Sequence, residues 1–158
     1  VAAGKAAIGM AHALDERCGA RLRAAVLTAA TTAVPSPRWT AFPATHPRPS
    51  GASEAAGRAA LDLADRCRAE HGLLVVCLSG GASAMLAVPA AGLSIADKSA
   101  TTAVLLRAGL DIGSINMVRR HLSAIKGGQL AARAGRSVTL AISDVCTPVE
   151  DDPRVIGS

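Results

Sequence analysis

A chain of 158 residues, half of them apolar, suits one domain with a sizeable core and excludes a chain disordered throughout. One Trp, one Phe and no Tyr leave the packing to Ala, Leu and Val, and remove the stacking surface that a nucleic-acid platform needs. The formal charge of +5 rests on 14 Arg against 3 Lys, a modest excess that fits small anionic ligands or simply an Arg-rich genome composition.

Cys18, Cys67, Cys77 and Cys146 are scattered, with no metal-binding spacing, as expected of a reduced, cytoplasmic chain. No run approaches the ~18 apolar residues of a membrane span, and no signal peptide is expected among these residues. The sequence opens at Val1 rather than Met and stops at Ser158 without a tail, so a piece of a longer polypeptide is expected.

Residues 1–3 read as the end of a strand. Residues 5–18 carry a helical pattern through Ile8, Met10, Ala11 and Leu14, stopped by Gly19. A strand is expected over 22–27. Five prolines between Pro35 and Pro49 then forbid a long helix and leave room for a short edge strand near Trp39. Ser53 is the expected cap of a helix running to about Glu70, and residues 73–78 form the clearest strand. A short helix over 82–86 follows. Ser94 caps the next helix, with Asp97 in its first turn, and Gly109 ends it. Ser114 is the expected cap of a helix over 115–125. Lys126-Gly127-Gly128 breaks it, helix resumes over 129–134, and a last strand spans 137–143. Strands alternating with helices predict an α/β, Rossmann-like domain: a mostly parallel sheet with helices on both faces.

In such a sheet, ligands gather at the carboxyl ends of the strands. Gly4-Lys5, Ser79-Gly80-Gly81-Ala82-Ser83 and Ser143-Asp144 all fall there. The Gly-Gly pair lets backbone N–H groups approach an anion, and the Ser79 and Ser83 hydroxyls can donate as well. A plain strand-to-helix turn has the same composition. The segment matches neither the P-loop nor the dinucleotide fingerprint, and G-x-S-x-G is absent. Lys5 sits at a helix start, where a cation is disfavoured by ~0.3–1 kcal/mol unless an anion joins it or it faces solvent.

The stretch INMVRRHLSAIKGGQLA places Asn116, Arg119, Arg120 and Ser123 on one helical face, followed by Lys126, Gly127 and Gly128. A solvated basic face is the simpler reading of that charge run. Asp144 is suited to hold Mg²⁺ or act as a base, whereas Glu150, Asp151 and Asp152 fit a solvated loop. His46, in His46-Pro47-Arg48-Pro49, fits a structural or a functional role equally.

In order, AAGKAAIGMA, HPRPS, LSGGASAML, INMVRRHLSAIKGGQLA and the SDV-to-VIGS end resemble the amino-terminal domain of the glycerate 2-kinase family, also known by its MOFRL carboxy-terminal domain. Some members carry an older label, hydroxypyruvate reductase. The resemblance implies transfer of the ATP γ-phosphoryl group to D-glycerate with Mg²⁺, in a cleft between this domain and a second one. It implies Lys5 and Asp144 as catalytic, with Asp144 as the metal ligand. It implies phosphate or substrate binding by Ser79, Gly80, Gly81, Ser83, Asn116, Arg119, Ser123, Lys126, Gly127, Gly128 and Ser143. Ala2-Ala3-Gly4 departs from Gly-Ala-Gly, Ser50 replaces a usual Asp, Ala82 replaces a frequent third Gly, and the acidic segment is longer than usual. With its second domain missing, the piece is expected to be inactive alone and prone to self-association through an exposed apolar face. The competing readings are a phosphosugar- or nucleotide-binding module without catalysis, and the reductase of the older label.

Overall fold

The computed structural model describes residues 1–143. Five parallel strands form one sheet: β1 (Ala2–Ala3), β2 (Ala25–Ala29), β3 (Trp39–Pro43), β4 (Leu74–Leu78) and β5 (Ser137–Ala141), in the order β3-β2-β1-β4-β5. Six helices connect or cover them: α1 (Ala7–Cys18), α2 (Gly51–Ala69), α3 (Ala82–Met85), α4 (Ile95–Arg107), α5 (Ile112–His121) and α6 (Gln129–Ala134). The expected Rossmann-like architecture is therefore present. The chain leaves β1 toward β2 on one side and later returns to β4 on the other, so the strand order reverses between β1 and β4. A crevice at the carboxyl ends of those two strands is where such sheets bind ligands.

Small side chains explain the tight layers. On one face, Ala7 and Ala11 of α1 meet Ala2, Leu27 and Cys77 of the sheet. On the other, Ala56, Ala60 and Ala64 of α2, with Leu130 and Ala134 of α6, meet Ala3, Val26, Leu74 and Val76. An Ala at each contact turn lets a helix backbone lie close to the strands, which replaces the missing aromatic bulk.

The helix expected over 5–18 begins at Ala7 and the strand expected over 137–143 ends at Ala141; four other differences from the sequence reading have a clear local cause. A 3₁₀ turn over Gly19–Arg21 delays β2 to Ala25, where Leu27 pairs with Ala2. Ser50, not Ser53, caps α2. Extended backbone after Pro49 puts Ser50 in the capping position, and Ser53 completes the reciprocal box from inside the first turn. Asp111, not Ser114, caps α5, because its carboxylate accepts from the Ser114 N–H at 3.0 Å. That helix ends at His121, well before Ile125. The Ser94 cap of α4 is as expected, with Asp97 as its capping-box partner.

Candidate functional site

The turns after β1 and β4 are stitched together. The Lys5 N–H donates to the Gly80 carbonyl at 2.9 Å, and the Ala6 N–H donates to the Ser79 hydroxyl at 3.0 Å. The Ser79 hydroxyl in turn donates to the Ala3 carbonyl at 3.3 Å. Ser79 is buried, so this hydroxyl serves as a clamp between the two strand ends rather than a donor toward a ligand. Gly4 must be glycine here. Its φ is +114°, and a Cβ would stand 2.5 Å from the Ser79 carbonyl oxygen. Lys5 itself is exposed at the start of α1.

Gly81 has φ +86° and lies under the His46 ring, with the site of its absent Cβ 3.0 Å from Cδ2. Among the described residues, neither the Gly80 nor the Gly81 N–H meets an acceptor, so both remain able to donate to an anion. The helix that follows, α3, has only four residues and adds little dipole of its own. The His46–Pro49 segment, with a cis His46–Pro47 peptide, folds over this turn, and Pro47, Arg48 and Pro49 line one wall of a cavity of about 490 Å³.

Ser83 stands at the floor of that cavity. The Arg119 Nη2 donates to its Oγ at 2.6 Å, and the Lys126 Nζ donates to the same atom at 2.8 Å. Arg119 is braced by a second bond, Nη1 to the Asn116 Oδ1 at 3.1 Å, and Asn116 is buried. The basic face of α5 is thus turned inward, against the solvated reading of the charge run. Lys98, on α4, completes the group. It is buried, lines the same cavity, and its Nζ lies 3.4 Å from the Val88 carbonyl.

No carboxylate lines the cavity among the described residues. Burial pushes the Lys126 ammonium down to about 7, with Arg119 and Lys98 adding repulsion. Burial likewise lowers Lys98 to about 8, assisted by Arg119, and lowers Arg119. Desolvated cations with no counter-charge are expensive to keep, and groups perturbed in this way inside a cavity mark candidate binding sites.

Other expected site residues lie elsewhere. Ser123 falls beyond the end of α5, so the Asn116–Arg119–Arg120–Ser123 face does not extend to it. Its buried hydroxyl donates to the Val88 carbonyl at 3.1 Å and accepts from the Ile125 N–H at 3.3 Å. Gly127 and Gly128, at φ +64° and +85°, form the turn that aims Lys126 inward and opens α6; neither lines the cavity. Ser143 is exposed just past Ile142, whose N–H reaches the Leu78 carbonyl, so it shares the sheet edge with the Ser79 turn. Asp144, Glu150, Asp151 and Asp152 lie outside the described residues. No group of three or more metal-ligating side chains occurs among the described residues, and no described helix is long and apolar enough to cross a membrane.

Sequence reasoning missed Lys98. It read Asp97 beside it as a helix-dipole residue and passed over the lysine. The available signal was a cation in the first turns of a helix otherwise poor in charge.

The chain matches, over residues 1–158, the model of a domain of unknown function, DUF4147. It is 37% identical to the glycerate 2-kinase of Pyrococcus horikoshii over all of this chain and 35% of that protein. It is 44% identical to an Agrobacterium vitis protein provisionally named hydroxypyruvate reductase, over all of this chain and 41% of the relative. A crystal structure of glycerate kinase from Thermotoga maritima superposes with a TM-score of 0.86 at 32% identity, over 99% of this chain and 38% of that one. The chain therefore spans little more than a third of the length of these relatives. The sheet order, the strand-end turns and these similarities together place the chain in the DUF4147 family, the amino-terminal domain of glycerate 2-kinases.

Proposed function

We propose that this chain supplies the phosphoryl-transfer half-site of a glycerate 2-kinase, moving the ATP γ-phosphoryl group to a hydroxyl of D-glycerate. The observation that carries the reading is the convergence of Lys98, Arg119 and Lys126 on one cavity without a carboxylate among the described residues. Phosphoryl transfer needs little covalent help. It needs anionic groups held in line and their charge neutralised in a site shielded from water. The cavity offers that neutralisation, and the Gly80 and Gly81 N–H groups offer further donors at the adjacent strand end. Lys5, fixed through its backbone to Gly80, is the proposed catalytic cation.

Mg²⁺ belongs to the proposal only through Asp144. The described residues offer it no ligand set, so the reading rests on the cations alone. The activity is proposed for the full-length protein. A piece spanning about a third of its relatives' length should turn over poorly by itself, because a cleft shared with a second domain is what would exclude water in this reading. A cytoplasmic location is part of the same proposal.

The test is a coupled assay of ADP release from ATP by the full-length protein with D-glycerate, with the phosphorylated product identified by mass spectrometry. A parallel arm follows oxidation of reduced nicotinamide with hydroxypyruvate. ADP release that depends on D-glycerate supports the kinase. Nicotinamide oxidation without it supports the reductase name. Ligand binding with neither reaction supports a binding module.

A further inference from the structure

The helix α4 buries one residue along its whole length, and that residue is Lys98. An amphipathic helix ordinarily buries apolar side chains, and Lys is among the residues least often buried. The one hydrogen bond given to the Lys98 ammonium among the described residues goes to a neutral carbonyl, that of Val88 at 3.4 Å, not to a counter-charge. Here Ser99, Thr102, Ala103 and Leu106 face the cavity rather than filling a core, while Val104 and the outer part of Leu106 remain exposed. The helix therefore bridges over the cavity and lowers a single ammonium into it. Three features oppose that placement: desolvation, repulsion from Arg119, and the positive end of the helix dipole next to Lys98.

The floor of the cavity gives an independent sign of what is missing. A hydroxyl has two acceptor sites and one proton. Arg and Lys can only donate, so Arg119 and Lys126 occupy both acceptor sites of Ser83. Its proton is left to donate, and among the described residues no acceptor receives it. Lys98, Arg119, Lys126 and the Ser83 O–H thus face a space that Arg48, Ser99 and Thr102 also line, its remaining walls being apolar: Ala87, Ala103, Leu106, Leu122, Pro47 and Pro49.

We propose that this cavity is a seat for the oxyanion head of a small ligand, a carboxylate or a phosphate, and that Lys98 is a binding residue for it alongside Arg119, Lys126 and the Ser83 hydroxyl. The assignment deepens the phosphoryl-transfer reading by naming the group held and adding a residue outside the recognised motifs. An oxyanion has enough lone pairs to accept from all four donors, and its charge offsets the mutual repulsion of the three cations. Binding fixes the ammonium of Lys98 in its protonated form, and with it the position of α4 over the ligand.

The experiment is isothermal titration of the full-length protein with three separate probes: inorganic phosphate, D-glycerate and ADP. It compares the wild type with Lys98→Met, which keeps length without charge, and Lys98→Arg, which restores charge. Lys98→Met should weaken at least one probe by about tenfold or more, the scale of one lost charge-assisted contact, and Lys98→Arg should recover most of it. Loss confined to D-glycerate identifies a carboxylate seat; loss confined to phosphate and ADP identifies a phosphate seat. Should Lys98→Met fail to fold, a wild-type melting temperature raised by phosphate above its value in chloride at equal ionic strength supports the seat, and no such rise overturns it. Wild-type affinities retained in Lys98→Met, or no binding of any probe by the wild type, also overturn it. Kinase turnover is read separately. Lys98-dependent binding without turnover keeps the seat and removes the kinase, whereas turnover and binding untouched in Lys98→Met do the reverse.

Discussion

Ser79 occupies the space that a side chain on Gly4 would need. A Cβ there would stand 2.5 Å from the Ser79 carbonyl oxygen and closer still to its hydroxyl, on a backbone already at φ +114°. Gly4→Ala should therefore destabilise the protein by about 2–4 kcal/mol, combining left-handed strain with overpacking. Adding Ser79→Gly should not rescue it, because the carbonyl remains. Urea unfolding of the single and double variants checks this. Full rescue would mean that only the hydroxyl blocks the site.

Ser123 and Ser83 make a contrasting pair. Both are hydroxyls in recognised motifs, but Ser123 bonds the Val88 carbonyl and Ser83 accepts from two cations. Ser123→Ala should cost about 1–3 kcal/mol of stability, the penalty for orphaning buried groups, with ligand affinity unchanged. Ser83→Ala should lower affinity for phosphate or D-glycerate with little loss of stability. Unfolding midpoints and titrations on both variants check the division, and equal effects on affinity would collapse it.

That contrast shows how far the sequence could be read. Parallel strands came from period and punctuation. The strand-end turns, Gly4-Lys5 and Ser79-Gly80-Gly81, came from small residues where apolar runs stop. These are local signals. Whether Ser79 clamps backbone or meets a ligand depends on Ala3 and Ala6, which the sheet brings in from the start of the chain. The helical register that joined Ser123 to Arg119 failed because α5 stops at His121. Lys98 left only a faint local signal, a cation early in a charge-poor helix, because the burial of a lysine on a largely exposed helix is a tertiary fact. Residues 137–140 alternate polar and apolar as a half-buried strand should, yet every residue of 137–141 is exposed on the described sheet edge.

Asn116 offers a test of positioning. It is buried, and its Oδ1 holds one nitrogen of Arg119 while the other reaches Ser83. Asn116→Ala should leave Arg119 present but free to swing, at a cost of about 1–2 kcal/mol in ligand binding. In the full-length enzyme that appears as roughly a tenfold rise in KM for one substrate. The kcat should change less, because the braced contact acts in ground and transition states alike. A fall in kcat at constant KM would instead put Arg119 on the transferring group.

Lys126 supplies a pH-dependent stability test. Its ammonium is held down to about 7 in the folded protein by burial and by Arg119 and Lys98, against an ordinary lysine value of 10.5 when unfolded. Between those values the unfolded chain binds the proton and the folded chain does not. Stability from this group therefore rises with pH from about 7 toward 10.5, and the full penalty applies below 7. Lys126→Met removes the penalty but also the hydrogen bond to Ser83. The loss of that bond is shared across pH, so the difference between two pH values isolates the charge. The variant should gain on the wild type by more at pH 6 than at pH 9, in thermal melts without added phosphate. Saturating phosphate should shrink that pH dependence, because an oxyanion among the three cations raises the lysine back toward its ordinary value. A difference between variant and wild type that is flat across this range would mean that Lys126 stays protonated in the folded protein, already paired with a counter-charge.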